Sequence, residues 1–530
     1  MMRETTSSLI ACRTARDRAI VLSLLSLASF GLAVGVDYIC YLSIGPTTLG
    51  TWYNKYWIGF FFVCGFLAAA FFVFRHTVKA KPEYLFLAIT LSVTCFSSLA
   101  FDVNKTSWDV DVHYSYVVEW SEPDLDVALT DADARMIYGS SIESYLELDS
   151  LDEYTNELNQ EDALQDGRTV QGSIVNLYRS ISSLPASLVY AICTALAVPF
   201  SLKYVLVRLI YALIYSFVTF FGMRQLKSGK MLFAVIALLP TAVFLAANYS
   251  YDYWINAFIL LAIACLVREL QTPDEPITPK RIMVLLGSFI VAFGPKAIYF
   301  PLVLLCLLIP KSKFSSTRAS RLYRGSVILV CLFVAVSFLM PYVFLSGLGV
   351  GDVRGGSDVN SVGQVQFILS NPFGYARILV SFLADYYSFF ASRDYIAFYA
   401  YLGYSSWFLW ALVYGLLIFT AITDKSEADK TVCTWKSRVL ALAINVVTVV
   451  LVASALYVSY TAVGSGIIAG CQPRYLIPLL FATLVFLSSS RLAWPRGGGR
   501  QKAAYNALIL GAMSLVLMVG FWQVYVGLLY

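Results

Sequence analysis

Long apolar segments alternate with short clusters of Lys and Arg along most of the chain. Because such clusters stay on the cytoplasmic side of a membrane, their positions predict an N-terminus inside and about thirteen transmembrane helices. The Lys/Arg clusters are 13–18, 75–81, 224–230, 268–281, 311–324, 425–438 and 491–502. The predicted spans are 20–44, 56–74, 83–101, 204–223, 231–248, 253–267, 282–294, 297–310, 325–345, 405–423, 439–460, 476–490 and 504–527.

Two predicted spans are short, and one apolar segment is not counted as a span. Segments 282–294 and 297–310 fall below the roughly 17 residues that a crossing needs, so we expect a helical hairpin turning at Gly294-Pro295. A crossing by 184–202 would put the acidic segment before it on the same side as cluster 224–230. We therefore expect 184–202 to lie in the outer interface or to be re-entrant.

The spans divide the chain into five parts. These are a three-span N-terminal segment (1–101), an acidic extracytoplasmic loop (102–183), a transmembrane core (184–345), a second extracytoplasmic loop with interfacial helices (346–404) and the C-terminal spans (405–530). The acidic loop holds 18 Asp/Glu against 4 Lys/Arg, so the net charge of +5 divides into −14 here and +19 elsewhere. We expect this loop to form either a small ordered cap or a mobile lid.

The second loop opens with a glycine-rich stretch, 347–356, and continues into a segment typical of a surface helix. Its later part is rich in tyrosine and phenylalanine, between 386 and 404. We favour an interfacial aromatic belt over a sugar-stacking platform, because Tyr and Trp are enriched where a membrane meets water.

Composition agrees with this picture and excludes other classes. The chain is 59% hydrophobic and 13% charged, with a mean hydropathy of +0.71, so 530 residues cannot form a soluble protein. Nucleic-acid binding has no support, and ten scattered cysteines show no metal-ligand spacing. A pore, a transporter or a membrane-embedded enzyme remains.

The first candidate for chemistry follows the third span, in Trp108-Asp-Val-Asp-Val-His-Tyr114. In an extended chain Asp109, Asp111 and His113 would share one face, whereas a helix would spread them. Two carboxylates and an imidazole can provide a general base or hold a divalent metal ion such as Mg²⁺ or Mn²⁺. The alternative is the solvated start of an acidic loop.

Three further candidates come at outer ends of predicted spans. Arg474, in Gly470-Cys-Gln-Pro-Arg-Tyr475, could bind phosphate bidentately or be a snorkelling end-of-helix arginine. Lys296 is isolated at the hairpin tip, and Asp252 could be a site residue or a helix cap. The predicted topology puts these three residues at the outer leaflet together with Asp109, Asp111 and His113. There the six residues could share one cleft for an anionic lipid head group.

These motifs resemble those of the bacterial membrane-protein family called domain of unknown function 2142, which in turn is similar to the GT-C superfamily of membrane glycosyltransferases. The resemblance covers roughly 83–490 and rests on the Asp-x-x-x-His pattern, Asn248-Tyr-Ser-Tyr-Asp252, the Lys296 hairpin and Gly-x-Gln-x-Arg-Tyr-x-x-Pro. It implies an all-α GT-C-like fold in a bacterial cytoplasmic membrane, with the active site facing outside. The acidic insertion after Trp120 is longer than usual for the family.

The resemblance implies transfer of a sugar from a polyprenyl-phosphate donor to an outer saccharide or glycolipid acceptor of the cell envelope. It makes Asp109 or Asp111 the catalytic base or a metal ligand. The choice between them stays open, because the chain has Asp109-Val-Asp-Val-His113 where the family has Asp-Glu-x-x-His.

Substrate contacts are expected from residues on four segments. They are His113, Asp252, Lys296, Gln472, Arg474 and Tyr475. No cofactor other than the metal ion is expected, and membrane lipid is the remaining partner. The alternatives are a transporter or flippase of lipid-linked saccharides and a non-enzymatic assembly partner.

Overall fold

The protein is mostly helical in a computed structural model that describes residues 14–44, 54–100, 106–122, 124–139, 148–344, 356, 358–388, 396–489, 494 and 499–526. The helices are α1 (Ala15–Ile44), α2 (Lys55–Phe74), α3 (Glu83–Ala100), α4 (Val110–Glu119), α5 (Asp131–Tyr138), α6 (Leu148–Glu161), α7 (Leu184–Ala195), α8 (Phe200–Gln225), α9 (Lys230–Ala237), α10 (Pro240–Ala246), α11 (Asp252–Gln271), α12 (Pro279–Phe293), α13 (Thr317–Phe344), α14 (Ser361–Ser370), α15 (Pro372–Ser388), α16 (Trp407–Thr423), α17 (Trp435–Ser459), α18 (Ile477–Leu487) and α19 (Gly499–Phe521). Two strands, β1 (Asp126–Thr130) and β2 (Gln165–Gln171), form an antiparallel pair, and a long 3-10 helix covers Ala297–Leu308.

Eight helices in the described part of the chain are long and apolar enough to cross a membrane: α1, α2, α3, α8, α11, α13, α17 and α19. Each coincides with one of the thirteen predicted spans. The bent pair α14 and α15, at 106°, would make a ninth if it counts as one span. The chain is therefore a polytopic membrane protein with eight or nine candidate spans, and the count of thirteen stays a prediction.

The other five predicted spans are helical but short or broken. Segment 231–248 is split into α9 and α10, because Pro240 begins a new helix and cannot continue the preceding one. Segment 282–294 corresponds to the last part of α12, which ends at Phe293, and segment 297–310 corresponds to the 3-10 helix. Segment 405–423 contains the 17-residue α16, and 476–490 contains the 11-residue α18. The 12-residue α7 likewise spans only about 18 Å, too little for a crossing.

The Lys/Arg clusters that the structure describes meet at one end of the helical bundle, called here the basic end. Lys230 at the start of α9 pairs with Glu83 at the start of α3 at 2.8 Å. Asp429 accepts hydrogen bonds from the Ser228 hydroxyl at 2.6 Å and the Gln271 side-chain amide at 2.8 Å. These contacts join three clusters that are far apart in the sequence, and the start of α3, as the predicted topology requires.

The described part of the acidic loop forms a small ordered unit at the opposite end, which we call the cap. Strands β1 and β2 pair with Val127 opposite Val170, and α4, α5 and α6 pack beside them. Asp133 of α5 accepts hydrogen bonds from the hydroxyls of Tyr114 at 2.7 Å and Tyr190 at 2.6 Å. Because Tyr190 belongs to α7, these bonds fasten the cap to the membrane helices.

Segment 346–404, predicted to be the second extracytoplasmic loop, is described in part. Its glycine-rich opening, 347–356, lies outside the described residues except for Gly356, as do 389–395 of the aromatic segment. The described helices α14 and α15 pack along α17, where the Tyr375 hydroxyl bonds the Ser454 hydroxyl at 2.7 Å. Their outward side exposes Leu369, Phe373 and Val380, as expected of helices in a membrane interface.

Candidate functional site

Arg474 lies at the centre of a charged cluster at the cap end of the bundle. Its side chain is 2% exposed, its Nη2 lies 3.3 Å from Oδ2 of Asp109, and its Nε lies 3.3 Å from Oδ2 of Asp252. The three residues come from segments separated by more than a hundred positions. The structure therefore brings together charges from segments that are far apart in the sequence.

Each of these residues comes from the start of a helix. Asp109 immediately precedes α4, Asp252 is the first residue of α11, and Arg474 lies in the short 3-10 helix that leads into α18. Helix N-termini carry a partial positive charge that favours carboxylates, which suits Asp109 and Asp252. Asp109 has a φ of 55°, a left-handed conformation that is costly for a residue with a Cβ and is found often at functional sites.

Aromatic rings surround the two cations of the cluster. The Arg474 guanidinium lies 4.3 Å from the Trp108 ring centroid. The Lys296 ammonium lies 3.0 Å from the centroid of Tyr475 and 5.8 Å from that of Tyr251. Rings in these positions favour cations electrostatically, and they offer no oxygen for a hydrogen bond along the ring face.

Lys296 differs from the other buried charges because its Nζ is buried and has no hydrogen-bond partner among the described residues. Desolvation by burial lowers the pKa of Lys296 to about 7, although the Asp252 carboxylate opposes this shift. An ammonium that is kept from water without an oxygen partner is costly to maintain, so the position is suited to an anion that binds there.

The segment that holds Asp109, Asp111 and His113 is helical rather than extended, because α4 begins at Val110. His113 is buried, and its ring lies 4.5 Å from that of Tyr251. Burial lowers the pKa of His113 to about 4, against the opposing effect of Asp109, so the ring is neutral at pH 7. Asp111 does not line the cavity described next.

The three residues also do not form the metal site that the sequence left open. Within the described part of the chain, no group of three or more His, Cys, Asp or Glu side chains is placed to hold a metal ion. Residues two positions apart point to different sides of a helix, so Asp111 lies away from Asp109 and His113, which are one turn apart, and the three side chains do not form one set of ligands.

A cavity of about 290 Å³ opens beside the cluster. Four of the predicted residues, Asp109, Lys296, Gln472 and Tyr475, line it, while Asp252 and Arg474 form the layer behind Asp109. One wall is apolar and consists of Val452, Ala455 and Leu456 of the candidate span α17. The cavity therefore joins charged groups to a surface that belongs to a membrane helix.

Two lining residues were missed by the sequence reasoning. Tyr251 was noticed only as part of a motif, and Arg179, at the end of the acidic loop, was not singled out. The signal for Arg179 was present, since it is one of only four Lys/Arg residues among 18 carboxylates.

Comparison with known families gives one match. The family described as "Predicted membrane protein (DUF2142)" matches residues 137–483, about two thirds of the chain. This confirms the resemblance noted from the motifs. No curated protein and no solved structure matches. Asp252, Lys296 and Arg474 lie within the matched region, and Asp109 lies before it.

Proposed function

Since the chain belongs to the DUF2142 family of predicted membrane proteins, we propose that it is a GT-C-like membrane glycosyltransferase. It transfers a sugar from a polyprenyl-phosphate donor to a polysaccharide or glycolipid acceptor of the cell envelope. The observation that carries this proposal is the cavity in which a carboxylate, Asp109, and a cation without an oxygen partner, Lys296, meet beside the apolar wall of α17. A lipid phosphate needs both the cation and the apolar surface.

Asp109 is the base in this proposal. Its side chain is 34% exposed and lines the cavity, whereas that of Asp252 is 10% exposed. Asp111 does not line the cavity, which favours Asp109 over Asp111 as the acting carboxylate. A base must reach the hydroxyl proton directly, and Asp109 can do so.

Arg474 has a different role from the one expected from the sequence alone. Its Nη2 donates a hydrogen bond to Asp109, and its Nε lies within ion-pair distance of Asp252, whereas Nε and Nη1 have no hydrogen-bond partner among the described residues. Arg474 therefore orients Asp109 with Asp252 as its second anchor. Lys296 is left as the principal cation for the phosphate.

The proposed reaction is a single displacement. The acceptor hydroxyl oxygen attacks C1 of the sugar and gives its proton to Asp109, while the bond from C1 to the phosphate oxygen breaks. The electron pair leaves with the lipid phosphate, whose added negative charge is stabilised by Lys296. No metal ion takes part in this scheme, in keeping with the separation of Asp109, Asp111 and His113 on α4.

The basic end faces the cytoplasm in this proposal, because Lys/Arg clusters are retained there, and the cavity faces outside. Asp252 and Gln271 are the two ends of α11. Its 20 residues span about 30 Å, the thickness of the hydrocarbon core. The cavity is thus placed near the outer boundary, where an outer acceptor can reach it.

The test is release of free polyprenyl phosphate from synthetic sugar-linked polyprenyl phosphates, measured with the purified protein in detergent. Asp109→Asn should lower the rate about 10²- to 10⁴-fold, the usual contribution of a general base. Asp111→Asn is the matched control, two residues away and outside the lining of the cavity, and should stay near the wild-type rate.

Two results would contradict the proposal. One is no release by the wild-type protein with a broad panel of donors and acceptors, which would favour the transporter or flippase alternative. The other is a wild-type rate for Asp109→Asn, which would remove this carboxylate from the chemistry.

A further inference from the structure

The cap has three described basic residues, and two of them are neutralised within it. Arg135 pairs with Glu157 at 3.1 Å and Glu161 at 2.9 Å. Arg168 donates to Asp166 through Nη2 at 2.7 Å. Arg179, in the same acidic loop, forms no ion pair with any described residue, and instead it lines the cavity.

The backbone next to Arg179 is fixed against the turn that carries Lys296. The Tyr178 hydroxyl donates to the carbonyl oxygen of Ile290 at 2.7 Å. A Cβ at position 294 would collide with the Tyr178 carbonyl oxygen, so only glycine allows this approach. Arg179 follows Tyr178 directly, and Lys296 is two residues beyond Gly294. Arg179 and Lys296 therefore lie on two backbone turns that contact each other.

The charges around the cavity leave these two cations available. Arg474 faces both nearby carboxylates, Asp109 and Asp252. Lys296 has no hydrogen-bond partner among the described residues, and Arg179 has no ion pair among them. Two cations that are not neutralised, on one side of a small cavity, form a site for an anion whose oxygens can accept from both.

We propose that Arg179 and Lys296 together bind the phosphate group of the lipid substrate, with Arg179 supplied by the cap. The identity of the anion as a lipid phosphate rests on the proposed function. The guanidinium of Arg179 presents paired donors that match phosphate oxygens, and the Lys296 ammonium supplies a compact second charge. Binding of the substrate thereby bridges the cap and the membrane helices.

The test is direct binding of a radiolabelled farnesyl methyl phosphodiester to the full-length protein in detergent. The probe has one negative charge that does not change with pH, and farnesol is its uncharged counterpart. Arg179→Gln should weaken binding about ten- to hundredfold, as expected from the loss of a hydrogen bond to a charged group. Lys296→Gln should have a similar effect, and neither variant should change the weak binding of farnesol.

Arg168→Gln is the matched control, since it removes an arginine of the same loop that does not line the cavity, and it should bind the probe within about twofold of wild type. Arg179→Lys keeps the charge and should recover part of the affinity. It also serves as the test if Arg179→Gln unfolds early in a thermal scan.

The proposal is overturned if the wild-type protein does not bind the probe, or if folded Arg179→Gln binds it like wild type. Its failure is distinguishable from failure of the proposed function. If the probe binds in an Arg179-dependent way but no sugar transfer is detected, the phosphate site stands and the glycosyltransferase proposal is rejected. If sugar transfer requires Asp109 but is unchanged in Arg179→Gln, the glycosyltransferase proposal stands and the role proposed for Arg179 is rejected.

Discussion

Two buried lysines, one at each end of the bundle, have opposite surroundings. Lys313 at the basic end has a side chain that is 0% exposed, and its Nζ meets the Glu269 carboxylate at 2.9 Å and the carbonyl oxygens of Glu269 at 2.8 Å and Thr272 at 2.6 Å. Lys296 at the cap end has two tyrosine rings beside its Nζ and no hydrogen-bond partner there among the described residues. A buried cation with its oxygens already provided holds helices together, whereas one without them is placed for a ligand.

The carboxylates of the two ends differ in the same way. Asp429 is fully buried and accepts from Ser228, Gln271 and the backbone N–H of Ser426. Asp109 is partly exposed and lines a cavity. The surroundings of the two carboxylates therefore assign Asp429 to a structural network and Asp109 to a candidate site, without any reference to sequence similarity.

If the basic end and the cap end lay on the same side of the membrane, the comparison between them would not hold. The topology of the chain is therefore the largest effect to test. A reporter fused after Lys227 should be cytoplasmic, and one inserted in the acidic loop at Glu143 should be external. Alkaline phosphatase and green fluorescent protein give opposite readouts for the two sides. Finding both positions on one side would mean that 184–202 crosses the membrane.

The next effect is on stability. Lys313→Met should cost about 3–5 kcal/mol of unfolding free energy, because it leaves Glu269 buried with one partner fewer. Lys296→Met should retain or gain stability, because it removes a buried cation that has no hydrogen-bond partner. Thermal and denaturant unfolding in one detergent, followed by tryptophan fluorescence, measures both.

The pair of lysine variants also has a functional readout. Lys296→Met should lose binding of the farnesyl phosphodiester while remaining folded. A strongly destabilised Lys296→Met, equal to Lys313→Met, would show that both lysines are structural, and the contrast would disappear.

The smallest effect is the pH dependence of phosphodiester binding. With a pKa of about 7 for Lys296, the ammonium is charged below pH 7 and neutral above it. Affinity should therefore be highest near pH 6 and fall as pH rises through 7, by up to about tenfold per pH unit. The groups that face Lys296 include Asp252, Arg474, Cys471 and Asp109, and burial raises the pKa of the Cys471 thiol to about 11.

Lys296→Arg is the control for this titration, because a guanidinium stays protonated. Its binding should not change between pH 6 and pH 9. A wild-type profile that is equally flat would mean that Lys296 is not the group that binds the probe.

The convergence of Asp109, Asp252, Lys296 and Arg474 was predictable from the sequence, because the Lys/Arg clusters set the direction of each span. The helical state of α4 was also encoded in the sequence, although the choice between a helix and an extended chain was left open. Asp109, Asp111 and His113 alternate with valines over five positions, which is typical of a strand. Over the longer segment, the buried residues Val110, His113, Tyr114, Val117 and Val118 follow the helical spacing.

Other features depend on contacts that no local pattern reveals. The role of Arg179 follows from the pairing of Arg135 and Arg168 with cap carboxylates, which only the folded cap makes visible. The short α18 and the 3-10 helix Ala297–Leu308 are apolar segments that both pack against α17. Hydropathy alone therefore predicts that they are helical and apolar, without fixing their length.

Helix α11 has a practical consequence for genetics, because it carries Asp252 at one end and Glu269 near the other. The two positions are 17 residues apart, about 25 Å along a nearly rigid rod. A change at Glu269 or at its partner Arg281, which lies 3.0 Å from it, can slide or tilt α11 and so displace Asp252 from Arg474. Loss-of-function alleles at the basic end can therefore have the same phenotype as alleles of the candidate site, and a stability measurement will tell the two apart.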